Sequence, residues 1–220
     1  MNRVIELMLS LPKSIYVNLR LFGMKGFKCP LLLRYDVDVK GCANGVVALK
    51  RFRFKEVTIG FGGTDSVSVR PASFHLKPGS TMIFKGTAQF SRGIIIKNKG
   101  KIVFGDNFHA NKNCSISCSD TVTFGDDCLL GWNVYIRDAD GHTVRSLDNP
   151  TKPDCGRPAG VCIGNHVWIS SECHFLKGSS IPDNCVVGYK SLVNKRFEEK
   201  NCIIAGHPST VVKRNIEWQL

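Results

Sequence analysis

From Phe84 onward the large apolar residues recur every six positions. Phe84, Phe90 and Ile96 form one set, Phe104, Ala110 and Ile116 a second, and Phe124, Leu130 and Ile136 a third, each opening twenty residues after the last. After an interruption the series resumes at Ile163, Ile169, Phe175, Ile181, Val187 and Val193 without a slip. A period of six is neither the 3.6 of an amphipathic helix nor the 2.0 of a half-exposed strand. It is expected when each hexapeptide supplies one short strand and a turn, so that the chain winds as a parallel β-helix. Three hexapeptides close one triangular coil of about eighteen residues, and coils stack about 4.8 Å apart with each anchor pointing inward onto the next.

The residues around the anchors agree. Four positions after an anchor the pattern predicts a small inward side chain, and Val167, Cys173, Ser179, Cys185 and Ser191 stand there. Gly105, Gly125, Gly131, Gly164 and Gly188 follow their anchors directly, where a missing Cβ eases a tight corner. The twenty-residue spacing implies two extra residues per coil, as at Ser119-Asp120, in a bulged turn.

Outside this region the texture changes. Residues 34–83 contain strand-like pieces at Val37–Val39, Val57–Phe61 and Val67–Val69 but hold the six-residue register poorly, and read as irregular early coils. Residues 1–33 mix apolar positions with Arg3, Lys13, Arg20, Lys25 and Lys28 and contain Pro12 and Pro30. Val4 to Leu11 is too short, and too interrupted by Glu6, for a signal peptide or a membrane span. A short helix and an entry segment capping the open end of the prism are expected, with a peripheral membrane contact as the rival reading. Residues 214–220 read as a tail that folds back as a cap. One all-β domain over residues 34–213 follows, with the terminal segments as small caps.

Charge and cysteine content narrow the partners. Thirty Lys and Arg against eighteen Asp and Glu give +12, which suits an anionic ligand or surface. There is no basic run interleaved with aromatics and no nucleic-acid motif, so an anionic small molecule or a glycan is the expected partner. The ten Cys are scattered, several at inward positions (Cys114, Cys128, Cys173, Cys185), with no CxxC pair. They read as small buried hydrophobes in a reducing cytosol.

The interruption between Ile136 and Ile163 is where chemistry is expected, because a regular prism gains nothing by ejecting residues 137–162 as a loop. His142 lies at its base, flanked by Asp138 and Asp140. An imidazole beside a carboxylate can have its tautomer fixed and its basicity raised, which suits a general base acting on a hydroxyl. A surface His in a turn made by Gly141 is the equal alternative from position alone.

Four motifs then occur in order: Asp138-Ala139-Asp140-Gly141-His142, Ile163 through Val167-Trp168-Ile169, Leu176-Lys177-Gly178 through Asn184, and Ile204-Ala205-Gly206-His207-Pro208 through Lys213. With them the chain resembles the hexapeptide-repeat O-acetyltransferases, the group containing maltose and galactoside acetyltransferases. It is most similar to their relatives in bacterial capsule and surface-polysaccharide synthesis, over roughly residues 84–213. The resemblance implies a left-handed β-helix, an exception to the right-handed crossover rule, assembled as a homotrimer with sites between subunits. It implies direct acyl transfer from acetyl-CoA to a sugar or glycan hydroxyl by a cytoplasmic enzyme, with His142 as base and Asp140 beside it. It places Asn111, Asp120 (or Ser119) and Asp138 at the acceptor. It places Trp168, Ser171, Tyr189, Asn194, Lys195 and Lys213 along the donor. Ser170 and Tyr189 stand where the family has Gly and a small residue, and His207 stands where it usually has Asn; these departures point to altered donor fit. Three alternatives stay open: an N-acetyltransferase of an amino sugar, a non-catalytic assembly subunit, and a β-helical carbonic anhydrase. The last needs a close His pair for its metal, which the six His of this chain lack, so no metal site is expected.

Overall fold

The computed structural model describes residues 3–43, 46–63, 68–147 and 159–219, with backbone alone for Pro153–Cys155. The remaining residues of the predicted loop, 148–152 and 156–158, lie outside the described residues. The chain is a left-handed parallel β-helix. Apart from the antiparallel pair Val144–Arg145 and Pro153–Cys155 in the excursion, the strands of the described residues fall into three sheets of nine, seven and six, here faces I, II and III, and from Leu31–Leu33 to Leu192–Val193 they visit them in rotation. Within each face the coils pair in parallel register, as in Phe108–Ala110 on Ala88–Phe90 and Ser115–Cys118 on Ile95–Asn98.

All fifteen anchors from Phe84 to Val193 are buried. Phenylalanine builds the central column: Phe104 stacks on Phe84 at 5.0 Å and on Phe124 at 5.3 Å, nearly parallel to each. Ala110 is the one small anchor, and the structure shows why. Phe108, at the inward position two residues earlier, packs 4.8 Å from both Phe104 and Phe124 and fills the space a larger residue at 110 would need. The small positions four after an anchor are also buried. The Cys173 thiol donates to the Gly188 carbonyl at 3.0 Å, and the Ser191 hydroxyl to Gly188 at 2.6 Å, so these corners satisfy backbone that burial would otherwise orphan. The glycines after the anchors are required by the approach of the next coil: a Cβ on Gly105 would lie 2.2 Å from the Gly125 carbonyl oxygen. Three positions after an anchor the backbone turns left-handed, at Asn107, Asn113, Asp127, Asn133 and Asn184, residue types that tolerate that region.

Along the edge between faces III and I runs a polar spine that the hydrophobic pattern does not predict. Asp126 accepts the Asp106 N–H at 2.7 Å, Asn165 accepts the Asp126 N–H at 2.9 Å, and Asp183 accepts the Asn165 N–H at 2.8 Å. Lys200 closes it on Asp183 at 2.7 Å. This accounts for the Asp of the Phe-Gly-Asp repeats: each carboxylate satisfies the corner N–H of the coil before it.

Residues 31–84 are more regular than expected. Leu31–Leu33, Asp38–Lys40, Val47–Leu49, Val57–Ile59, Ser73–Leu76 and Thr81–Phe84 occupy the three faces in turn. Ser68 and Val69 carry no strand; Ser73–Leu76 takes that place in face II. Long corners between strands hide the six-residue phase there. The first parallel strand is Leu31–Leu33, paired with Val57–Ile59. Before it, helix α1 spans Arg3–Phe22, twenty residues where a short helix was expected, and runs through Pro12. After the last coil, Ser209–Arg214 turns back antiparallel on Cys202–Gly206, and Trp218 stacks on His166 at 4.1 Å.

Candidate active site

The excursion leaves the prism on the edge between faces II and III. Asp138 closes its base. Its side chain is fully buried, with Oδ1 accepting the Ser119 N–H and Oδ2 the Asp120 N–H, both at 2.7 Å. Its carbonyl accepts the Ala159 N–H at 2.9 Å, and the Ala159 carbonyl accepts the Gly178 N–H at 2.8 Å. The chain therefore departs after Asp138 and returns at Ala159, with the coils before and after tied to the same two residues. Each Asp138 oxygen takes a backbone N–H, which gives this carboxylate a structural role at the loop base.

His142 stands four residues beyond, exposed, just after Gly141 in its left-handed turn. Asp140 pairs with Lys177 of the following coil and makes no hydrogen bond to His142 among the described residues. The described residues thus hold no hydrogen-bonded pair of Asp140 and His142, and Asp140 anchors the start of the loop to the prism. Asp120, exposed, lies in the coil before on this edge. Asn194 and Lys195 lie in the coil after Lys177, where the Lys195 carbonyl takes the Ser180 N–H at 3.3 Å.

Asn111, Ser171 and Tyr189 lie on the edge between faces I and II. The Asn111 amide donates to the Leu130 carbonyl at 3.0 Å. In the next coils Ser171 Oγ accepts the Trp132 N–H at 3.0 Å, and the Ser171 carbonyl accepts the Lys190 N–H at 3.1 Å. Tyr189 is exposed beside it, with the Lys190 ammonium 5.3 Å from its ring. Trp168 stands on face I itself, in register with Val186 of the next coil, its ring 6.1 Å from Trp218, which stacks on His166 at the edge between faces III and I. Lys213 is exposed on the returning strand opposite Ile203.

Apart from Trp168 and Lys213 on face I, the expected residues therefore form two groups on different edges of one prism. Next to the second group is a cleft of about 550 Å³ lined by Asn133, Tyr135, Glu172, His174, Lys190 and His207. Tyr135 and His174 stack at 4.8 Å, and Arg70 lies over the Tyr135 ring at 5.3 Å. The motifs did not point to this ladder, although a signal for it was available: Tyr135 and His174 each precede an anchor by one residue and must face outward.

Burial sets the cysteine chemistry. Desolvation pushes the thiols of Cys114, Cys118 and Cys128 up to about 12 and that of Cys173 to about 11, so they are protonated at neutral pH. No group of three or more His, Cys, Asp or Glu able to hold a metal ion occurs among the described residues.

No family model matches the chain. It is 41% identical over 108 residues to a polysialic acid O-acetyltransferase of Neisseria meningitidis, covering 49% of each chain. Among solved structures it superposes on the polySia-specific acetyltransferase NeuO with a TM-score of 0.61 at 18% identity, over 86% of this chain and 89% of that one. The chain has the fold of the hexapeptide-repeat acyltransferases. The same fold is found in AntD, an N-acyltransferase from Bacillus cereus crystallised with dTDP and coenzyme A, with a TM-score of 0.54 at 14% identity over 84% and 80% of the two chains. The chain spans about half the length of the curated relatives it matches.

Proposed function

We propose that this chain is an acyl-CoA-dependent O-acetyltransferase that acetylates a sugar hydroxyl of a bacterial surface polysaccharide or its precursor. The similarity to a polysialic acid O-acetyltransferase supports the acceptor class. The observation that carries the reading is the division of the site: a loop with an exposed His142 on one edge, and Ser171, Tyr189 and Asn111 on another. Such halves meet when prisms stand side by side around a threefold axis, the loop of one subunit reaching the neighbouring edge of the next.

In this mechanism His142 removes the proton of the acceptor hydroxyl as its oxygen attacks the thioester carbon. The tetrahedral oxyanion is held by backbone N–H groups at the Ser171 corner. Collapse breaks the carbon–sulfur bond, and the imidazolium returns its proton to the departing thiolate. Transfer is direct.

The residues present fit the donor's chemistry. A cleft of about 520 Å³ at the end of the prism is lined by Lys195, Arg196 and Arg214, cations suited to phosphates. Glu199 offsets one of them, pairing with Arg214 at 2.8 Å. Lys213 belongs to the same basic end. Lys213→Ala should weaken coenzyme A binding severalfold at low salt and much less at high salt, as calorimetry at two ionic strengths would show, because an exposed charge contact is screened.

Mixing two inactive variants tests the shared site. His142→Ala and Ser171→Glu each disable one edge, and co-expressed they should recover about a quarter of the wild-type sites, the statistical share for random mixing in a cyclic trimer. No recovery from mixed trimers of normal fold would place both groups in one subunit and remove the proposed assembly of the site. The reading of N-transfer to an amino sugar shares this base and this donor, and an acceptor screen with hydroxyl and amino sugars decides between them.

A further inference from the structure

Helix α1 is amphipathic in the unexpected sense, with its polar stripe turned inward. Glu6, Ser10, Ser14 and Asn18 are buried at four-residue intervals, joined by Val17 and Leu21. The stripe completes the hydrogen bonds of the first strand. Asn18 donates to the Leu31 carbonyl at 2.6 Å and accepts its N–H at 3.1 Å; Ser14 does the same for Leu33, and Ser10 accepts the Tyr35 N–H at 3.1 Å. An uncovered strand edge is a liability, and side-chain groups here stand in for a neighbouring strand. Glu6 pairs with Arg34 at 2.6 Å and Arg92 at 3.3 Å.

With the polar face committed to the prism, the opposite face is left to solvent. Ile5, Met8, Leu9 and Tyr16 are each at least half exposed there, and Met24 and Phe27 extend the patch through the 3₁₀ turns Gly23–Lys28. Large exposed apolar patches mark interaction sites. The charge around this one has a single sign. Residues 1–30 hold five basic residues and one acid, and that acid, Glu6, is buried in ion pairs. Arg20, Lys25 and Lys28 remain exposed at the end of the patch. Beside the helix, a cleft of about 600 Å³ is lined by Arg3, Lys55 and Arg92, and the buried Arg92 Nε has no hydrogen-bond partner among the described residues.

We propose that the outward face of helix α1 docks the protein on an anionic lipid surface, with Ile5, Met8, Leu9 and Tyr16 in the interface and the flanking cations on the headgroups. The helix would lie along the surface: no helix among the described residues is long and apolar enough to cross a membrane. A second copy is disfavoured as occupant, since a self-complementary contact would bring the same cations together. A lipid surface is negative where this patch is positive. The proposal rests on the helix alone and does not depend on the acyltransferase reading.

Flotation of the whole protein with vesicles of phosphatidylcholine, and of phosphatidylcholine with phosphatidylglycerol, tests it. The wild type should float with the anionic vesicles at least tenfold more than with the neutral ones, and release as salt is raised. Met8→Gln with Leu9→Gln keeps helix propensity and leaves the inward stripe untouched. It should lose about a hundredfold in binding, at unchanged circular dichroism, by removing buried apolar area. Equal flotation with neutral and anionic vesicles, no flotation at all, or undiminished binding of the double variant would overturn the proposal. So would a wild-type assembly that the double variant splits, because the patch would then be filled by another copy.

Discussion

Replacing His142 by Ala should lower the rate of acetyl transfer by about a thousandfold while leaving the fold, the assembly and the affinity for coenzyme A unchanged. The expectation has a structural basis. His142 is exposed, beyond the closed loop base at Asp138 and Ala159, and packs into no part of the core, so its removal leaves no cavity. The loss should fall on kcat, because the proton moves only as the acceptor oxygen attacks. Lys177→Ala provides the contrast. It frees Asp140, loosening the start of the loop, and should raise KM or lower kcat by much less than loss of the base. If His142→Ala kept its turnover, the loop would lose its assigned role, and the cleft at Tyr135 and His174 would be the next place to look.

How far this arrangement is legible in the sequence differs by feature. The inward anchors are legible because an inward position in a three-faced prism admits little besides apolar side chains, and a six-residue period fits few folds besides this one. The exception at Ala110 emerges only from the packing, since nothing in the sequence says that Phe108 leans into its space. The Asp and Asn spine is present as repeated Phe-Gly-Asp, but its purpose lies between coils twenty or more residues apart. Residues 34–83 obscure their phase because corners can lengthen without disturbing the stacked strands. At the site, the position of His142 on an ejected loop is evident, whereas the parts of its two acidic neighbours are not. A carboxylate two or four residues from an imidazole can turn to it, to solvent or into the prism. Asp138 turns inward to two backbone N–H groups and Asp140 to Lys177. Helix α1 is longer than its sequence suggests for a related reason. Its polar residues look like those of a broken surface segment, when they are the groups that bind the strand edge.

The second large effect is expected at Phe104. Its ring contacts Phe84 in the coil before and Phe124 in the coil after, and also Phe90 and Phe108, at centroid distances of 4.8 to 5.3 Å. A solenoid is held by nearest-neighbour interfaces, so a residue shared by two of them weakens the stack on both sides. Phe104→Ala should cost about 4 kcal/mol, the usual size for removing a buried ring from a rigid site, and lower the melting temperature by roughly 8–16 °C in a chain of this length. Relaxation cannot absorb much of the void, because the coil spacing is fixed by backbone ladders on all three faces. Val193→Ala removes an anchor near the end of the stack and should shift melting by a much smaller amount. Thermal denaturation of both variants would give that ordering if the phenylalanine column is the axis of stability. Equal shifts would assign the stability instead to the hydrogen-bonded faces and the polar spine along the edge, with the aromatic column merely filling the space between them.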